Sequence, residues 1–568
     1  LSFILSEGIV PSNVREGYLA RLLFRRSYRM LKRLGIPERL PDLVEGQIEY
    51  WSGAFPYLKE MHDEVLEAVE AEREKYQETL NRGTRLISKV IEENRAAGKE
   101  TIAAEQLVEL YDSHGLTPED VKEVSEKEGV GTSMPEDFYS LVAKRHSTVE
   151  VKTAEEKTVE LGKKVAELPK TCKLFYEDVY LKEFHAKVLA AIEDRYVVLD
   201  QTTFYSEAGG QPSDTGLLTL NGVKIRVVHV EDVDSVLLHE VDKGSPLPKV
   251  GATVHGEIDW ERRAALMRHH TTTHILIGAL RRVLGDHAWQ AGAQKGIESS
   301  RLDISHWKKL TREEVEEIER LSNRVVMENR KVSAFWMPRT EAEDRYGFRL
   351  YQGGAVPGKE IRVVEVEGWD VEACGGTHCR STGEVGFIKI LRTERVQDGV
   401  ERIIYAAGPA ALGAVQERDR RLVEIAENLG VPLEKTVEAV QRISADRDEL
   451  HREVESLRKL SSRQRAEELL KEAEAIDGIK LIVHAEDADA EYLIKMGNEL
   501  TEMDSSTVSI LFAEGSGRIV SFVGRRAVDL GVHAGRLATE AARVLGGGGG
   551  GEPHFGQGGG RTVEKVPE

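Results

Sequence analysis

The chain has 568 residues, 40% of them apolar, and a formal net charge of −20. That length predicts about four domains with real cores, and the acidic balance excludes indiscriminate nucleic-acid binding, which needs clustered Lys and Arg facing phosphates. Cys172, Cys374 and Cys379 are too few, and odd in number, for a disulfide framework. No stretch approaches the roughly eighteen apolar residues of a membrane span. The expectation is a cytoplasmic globular chain without a membrane or DNA partner, and an opening on Leu1 in mid-pattern reads as the carboxy-terminal portion of a longer polypeptide.

Gly8 to Asn13 reads as a turn, and Glu16 to Arg33 as a helix with Leu19, Leu22, Leu23 and Met30 as apolar positions. Arg21, Arg25, Arg29 and Lys32 fall on one face of it, reinforced by Arg26 and Arg33. A charge run is usually a solvated face, but six cations without an acid predict phosphate contact. Met61 to Ala97 is long, charged and helical. Shorter helices alternate with turns from Thr101 to Lys144, and Val149 to Lys170 reads as a linker.

Beyond Thr171 the period changes. Residues 188–192, 196–199, 224–229, 235–239 and 254–258 are short strand candidates separated by turn residues, which predicts a small β-barrel. Between two of them lies Tyr205-Ser-Glu-Ala-Gly-Gly-Gln-Pro212, whose adjacent glycines allow close approach to the backbone and whose Gln211 offers both a donor and an acceptor.

Trp260 to Leu284 reads as a helix that carries His270 and His274 at i and i+4, on one face. Residues 297–405 alternate strands with one long helix, 311–329, an α+β pattern. In that stretch Cys374-Gly-Gly-Thr-His378 offers a thiol and an imidazole across a tight-turn spacer. Three nitrogens and one sulfur suit tetrahedral zinc, one ion per chain, better than magnesium or calcium. A zinc protease is disfavoured, because Thr271, Thr272 and Thr273 stand where its motif needs a glutamate. Cys379, one residue beyond a ligand, points elsewhere.

Pro409 to Ala475 is charged and helical, broken at Gly430-Val-Pro432, and Val440, Ile443, Leu450, Val454 and Leu457 keep heptad spacing there. This predicts a helical arm or a dimer contact. Strands at 480–484, 508–512 and 519–523 and helices near 490–502 and 531–545 follow. The closing glycine runs fit a flexible tail by composition. A helix with Arg536 and Arg543 leads into them, which would set their amides against phosphates or bases.

His-Thr-Thr-Thr-His, Cys-Gly-Gly-Thr-His, the upstream Ala-Gly-Gly-Gln-Pro, the opening Gly-Ile-Val-Pro-Ser-Asn and the glycine-rich end resemble, in this order, the alanyl-tRNA synthetase family, in its archaeal branch. The resemblance implies a multidomain α+β protein. Its parts would be a helical tRNA-recognition region with linker (1–170), a β-barrel with the glycine-rich motif (171–262) and a zinc editing domain (263–408). A helical arm (409–475) and a mixed α/β domain for tRNA binding and dimerisation (476–568) would follow. It further implies that the aminoacylation domain, with its need for ATP and Mg2+, has no counterpart here.

Carried over by position, the resemblance makes His270, His274, Cys374 and His378 zinc ligands, and Gln211 the sensor of a serine hydroxyl, with Thr271 the other candidate for catalysis. Asn13 and Asp112 would read the G·U pair of the acceptor stem, where the guanine amino group is free in the wide minor groove. Arg21, Arg25 and Arg29 would hold phosphates. The implied partners are tRNA(Ala) and a second copy of the chain. The implied activity is hydrolytic editing of Ser-tRNA(Ala) and Gly-tRNA(Ala), within a ligase that joins alanine to tRNA(Ala). Two other readings stay open: a tRNA-binding module with structural zinc, and a threonyl-tRNA editing relative.

Overall fold

A computed structural model describes residues 1–12, 15–135, 138, 161–352, 354, 356 and 358–561. It is multidomain and α+β, and divides into two compact units, Leu1–Asp419 and Arg420–Glu568. Among the described residues no helix is long and apolar enough to cross a membrane.

The helical region of the first unit includes helices α1 (Arg15–Arg33) and α2 (His62–Ala96). Phe24 and Tyr28 of α1 pack on Val65, Val69 and Tyr76 of α2. Because Arg21 and Arg25 share that face, they are drawn inside and are only 4% and 5% exposed. Arg21 pairs with Glu72 at 2.9 Å and Asp398 at 3.1 Å, while Arg25 lies 3.4 Å from Glu72 and over the Tyr76 ring. Arg29, less deeply placed, donates to Thr117 and pairs with Glu119.

The expected phosphate-facing stripe is thus not what the fold presents. Arg21 and Arg25 face the buried Glu72, and Arg21 also the half-buried Asp398, so that guanidiniums so enclosed are out of reach of a phosphate. Arg26, Lys32 and Arg33 remain exposed. With Arg29 and Lys122 they line a cavity of about 780 Å³ that also holds Glu119, Glu123 and Glu126.

Helices α3 (Ala104–His114) and α4 (Pro118–Lys127) complete this region, the second capped by Thr117, which accepts from the amide of Asp120. Asp112 lies in α3, but its side chain is outside the described residues, as is Asn13 altogether. The linker reading falls outside them as far as residue 160. Its end is not loose, since Leu161 and Val165 pack with Tyr196, Val198 and Leu238.

Strands β1 (Glu183–Ile192), β2 (Tyr196–Leu199), β3 (Gly216–Leu220), β4 (Val223–Val233), β5 (Val236–Val241) and β6 (Thr253–Ile258) close into a barrel. Its order is β6-β1-β2-β5-β4-β3, and Gly216 opposite Ile258 joins the two ends. Five strands were legible. The sixth, β3, lacks alternation and hides behind the turn residues before it. Phe184, Val188, Val197, Leu218, Ile225 and Val254 fill the core.

Helix α5 (Trp260–Leu284) follows, started by Asp259, which accepts from the amide of Arg262. Every residue from His269 to Leu280 is buried, so it is a central helix enclosed on all sides. Strands β7 (Gln290–Gln294) and β8 (Ser300–Ser305), helix α6 (Arg312–Glu328), and strands β9 (Val332–Pro338), β10 (Glu360–Val366), β11 (Asp370–Ala373), β12 (Ile388–Gln397) and β13 (Val400–Ala407) surround it. They form a four-stranded sheet, β7-β8-β13-β12, and a three-stranded one, β9-β10-β11.

Helix α7 (Pro409–Leu429) runs across the division between the units, and α8 (Thr436–Glu472) belongs to the second. There β14 (Glu474–Ile476), β15 (Ile479–Glu486), β16 (Thr507–Ala513), β17 (Arg518–Val523), β18 (Gly548–Gly551) and β19 (Phe555–Gly559) build one sheet, with helices α9 (Ala490–Met503) and α10 (Ala534–Val544) between its strands in the chain. Its order is β14-β15-β16-β17-β19-β18. The glycine run is therefore a paired hairpin as far as Gly559, not a loose tail. The reason is steric: a Cβ on Gly549 would lie 2.7 Å from the Ala538 carbonyl oxygen, and one on Gly556 would lie 2.5 Å from that of Ala534. Only glycine lets α10 settle this close to the strands.

Candidate metal centre

His270 and His274 project from the buried middle of α5, and Cys374 and His378 come from the loop that leaves β11. One donor atom from each of the four lies within 4.8 Å of the others. Cys374 Sγ is 3.4 Å from Nε2 of both His270 and His378. The three imidazoles are at most 4% exposed.

Each imidazole also has something facing its other nitrogen. His270 Nδ1 donates to Gln211 Oε1 at 2.6 Å. His274 Nδ1 lies 3.4 Å from Asp370 and 3.6 Å from Glu372. His378 Nδ1 is 3.4 Å from Thr271 Oγ1, which also accepts from the Cys379 amide at 3.0 Å. A histidine that ligates through one nitrogen is oriented by what the other touches. Here the arrangement turns Nε2 inward.

The loop that carries Cys374 is held rigidly. Arg362 donates to the carbonyls of Cys374 and Gly376, both at 2.8 Å, and Tyr176 donates to Gly375 at 3.1 Å. A Cβ on Gly376 would sit 1.9 Å from His270 Cε1, so no other residue lets the loop approach α5.

Gln211 has other partners than the one expected of it. It is fully buried, accepts from both His270 Nδ1 and the Thr377 amide, and donates to Thr377 Oγ1 at 2.8 Å. Its oxygen is committed to the protein. The geometry makes it a brace between the barrel's glycine-rich turn, α5 and the Cys374 loop. Thr271 is equally enclosed, between His378 and Cys379.

The electrostatics match a cation site. Burial pushes the Cys374 thiol up, but the neighbouring His270 and His378 outweigh it and hold the thiol well below its ordinary range. Burial drives His378 down to about 4, and burial together with the Lys295 charge drives His270 well below 6.5. Burial opposes a charge on His274 as well, yet Glu372, Asp370 and Cys374 prevail and hold it well above 6.5. Burial and the charge of Asp370 raise Glu372 to about 8 although His274 opposes them. A thiolate and three imidazoles, two of them held neutral, make a donor set that zinc takes, so the residues present fit that ion.

Sequence reasoning did not find Asp370, Glu372, Arg362 or Thr377. The first two had a signal. Asp370, Glu372 and Cys374 are two apart, and the period of a strand sets such residues on one face. Arg362 and Thr377 gave none, because their roles are hydrogen bonds to loop atoms.

Comparison with known proteins gives three matching family models. The family model "tRNA synthetases class II (A)" matches residues 1–262, "Threonyl and Alanyl tRNA synthetase second additional domain" matches 361–404, and "DHHA1 domain" matches 478–568. These define a class II tRNA synthetase architecture with an additional domain around the Cys374 loop. The chain is 49% identical over 559 residues to the alanine–tRNA ligase of Thermococcus kodakarensis, covering 98% of this chain and 60% of that protein. With that of Pyrococcus furiosus it shares 48% over 568 residues, 100% of this chain and 61% of the relative, and with that of Methanosarcina mazei 44% over 572 residues, 100% and 61%. The similarity runs along essentially the whole chain, which spans about three fifths of the length of these relatives.

A solved structure, the C-Ala domain from Aquifex aeolicus alanyl-tRNA synthetase, is 28% identical and covers 17% of this chain and 87% of its own, with a TM-score of 0.15, too low to carry a structural argument. The expectation that nothing here corresponds to the aminoacylation part is not supported, because the class II model matches residues 1–262.

Proposed function

We propose that the first unit carries a hydrolytic editing module, residues 263–408, that removes serine and glycine wrongly esterified to tRNA(Ala), with one zinc ion held by His270, His274, Cys374 and His378. The observation that carries this reading is the convergence of one sulfur and three imidazole nitrogens at a buried point, each imidazole backed by a hydrogen-bonding or charged neighbour. The match of 361–404 to the second additional domain supports it. Bound zinc would supply Lewis-acid polarisation or orientation of an oxygen ligand. Gln211 and the Asp370–Glu372 pair fix the imidazoles, Thr271 lies between His378 and the chain, and Arg362 keeps the loop in place. The net reaction adds a water oxygen to the ester carbonyl carbon and breaks its bond to the ribose oxygen, which takes the proton.

The need for such a module follows from energetics. An alanine pocket can exclude larger residues, but against glycine and serine it gains only about 10- to 200-fold. A second site must remove the remaining errors.

Since the relatives are alanine–tRNA ligases, we propose that the whole protein joins alanine to tRNA(Ala) with ATP and Mg2+. Asn13 and Asp112 remain proposed readers of the acceptor stem, and the exposed Arg26 and Arg33 are better placed than Arg21 and Arg25 to meet its phosphates. Val440, Ile443, Leu450, Val454 and Leu457 of α8 are 47–60% exposed, and we propose that a second copy of the chain covers them.

A second reading has its own support: four protein ligands form a closed set, the pattern of structural zinc. The two separate in one experiment, hydrolysis of Ser-tRNA(Ala), Gly-tRNA(Ala) and Ala-tRNA(Ala) by the chain with its zinc content measured. Editing predicts one zinc per chain and loss of serine and glycine with alanine spared. Zinc at that ratio with all three esters intact establishes the structural reading.

A further inference from the structure

Lys295 stands at the end of β7, beside the cluster, and none of the roles above uses it. Its side chain is 3% exposed. Its ammonium donates to one acceptor, the Gly209 carbonyl, at 2.9 Å, while its backbone amide donates to the Gly210 carbonyl at 2.7 Å. Both belong to the turn that ends in Gln211. The approach is close enough that a Cβ on Gly210 would fall 2.1 Å from the Ala293 oxygen.

An ammonium has three protons to give. Among the described residues this one makes no ion pair, in contrast to Arg263, which is as buried but is paired with Asp214. The negative groups whose charge reaches it are Cys374 and Glu372, and burial pulls its affinity for a proton down. A buried, unpaired cation costs several kcal/mol in a native protein, and such groups gather at functional sites. Residues 207–210 of the turn it holds and Gly375 are exposed, whereas His270, Gln211 and Thr377 are not. The nearby carboxylates, Asp370 and Glu372, stand against His274, so the ammonium has none of its own.

We infer that Lys295 is a catalytic residue of the hydrolytic site, its remaining N–H groups directed at the ester carbonyl oxygen of an aminoacyl-nucleotide. This rests on the deacylase reading above. As water oxygen bonds to the carbonyl carbon, the carbonyl π pair moves onto that oxygen. Lys295 meets the new negative charge while Gly209 holds the ammonium in place. When the pair returns and the bond to the ribose oxygen breaks, the proton from water goes to the ribose oxygen and Lys295 is unchanged.

The test uses the full chain with Lys295→Met and Lys295→Gln, measured in single-turnover deacylation of Ser-tRNA(Ala). Zinc content is followed in parallel, and the thermal midpoint is taken with and without metal. The expected result is a maximal rate lower by about 100-fold or more, as on loss of one oxyanion donor, with an unchanged KM and full zinc. The Met variant should melt no lower than the wild type, because a buried charge has gone. An unchanged rate overturns the proposal. So does a fall in midpoint or zinc that accompanies the rate, which would make Lys295 a strap for the glycine turn. A raised KM at full rate would assign it to a phosphate instead. If the wild-type chain leaves the ester intact, the deacylase reading itself fails, and this proposal falls with it.

Discussion

Two buried polar clusters of the first unit solve the same electrostatic problem in opposite ways. In the helical region Arg21 and Arg25 surround Glu72, with Asp398 closing the other side. Around the cysteine, a thiol, three imidazoles, two carboxylates and Lys295 are gathered with far less pairing: His274 Nδ1, Asp370 Oδ2 and Glu372 Oε1 have no hydrogen bond of good geometry. In the first cluster each guanidinium lies against a carboxylate. The second is arranged for something else to complete it. Charge runs in sequence do not distinguish the two cases, since both consist of ordinary ionisable residues. The difference is whether each buried charge meets its counter-charge within the chain.

The sharpest way to break this contrast is Cys374→Ala. If the second cluster is a metal centre, zinc and Ser-tRNA(Ala) hydrolysis should disappear together, because the anionic ligand is gone. Full zinc with full activity would return the cysteine to the status of a spectator.

The complementary change is Glu72→Ala, which leaves two buried guanidiniums with much of their compensation removed. It should cost about 3–5 kcal/mol of unfolding free energy in a urea titration and leave zinc content alone. A loss below about 1 kcal/mol, the scale of an exposed pair, would show that this cluster is not the closed system described here.

Acid titration supplies a background for both. Burial keeps His239 and His306 neutral down to about 4 and His287 down to about 3. The unfolded chain protonates these groups near pH 6.5, so below that it binds more protons than the folded chain. Stability should therefore fall as pH drops from about 6.5 to about 4, by about 3 kcal/mol for a group such as His239. His239→Gln should flatten that part of the curve. An unchanged slope would mean that His239 is not held neutral.

The smallest effect expected is that of Gln211→Ala. As a brace on His270, Gln211 should cost about 10- to 100-fold in zinc affinity or rate, alike for Ser-tRNA(Ala) and Gly-tRNA(Ala). A loss confined to the serine ester would restore it as a reader of the hydroxyl.

Much of this fold is legible before folding. Strand and helix periods reveal the barrel, the central helix and the α+β region, because those patterns report which face of each element is buried. His270 and His274 are visible because their spacing is local to one helix, and Cys374 and His378 because theirs is local to one loop. Local signals also mislead. The arginines at 21, 25 and 29 look like a surface stripe, and the run from Gly546 to Gly551 looks like a tail, since neither Glu72 nor α10 is near them in sequence.

By itself, then, the sequence determined the donor types, the periodicities and the two halves of the centre, all properties of residues close along the chain. Tertiary structure alone decided which cations were neutralised, which glycines were required by a neighbour's backbone, and that Gln211, Asp370 and Glu372 stand behind the imidazoles. The physical reason is distance. Burial and charge compensation act across space between residues far apart in the chain, as from Arg21 to Asp398, Gln211 to His270 and Lys295 to Gly209.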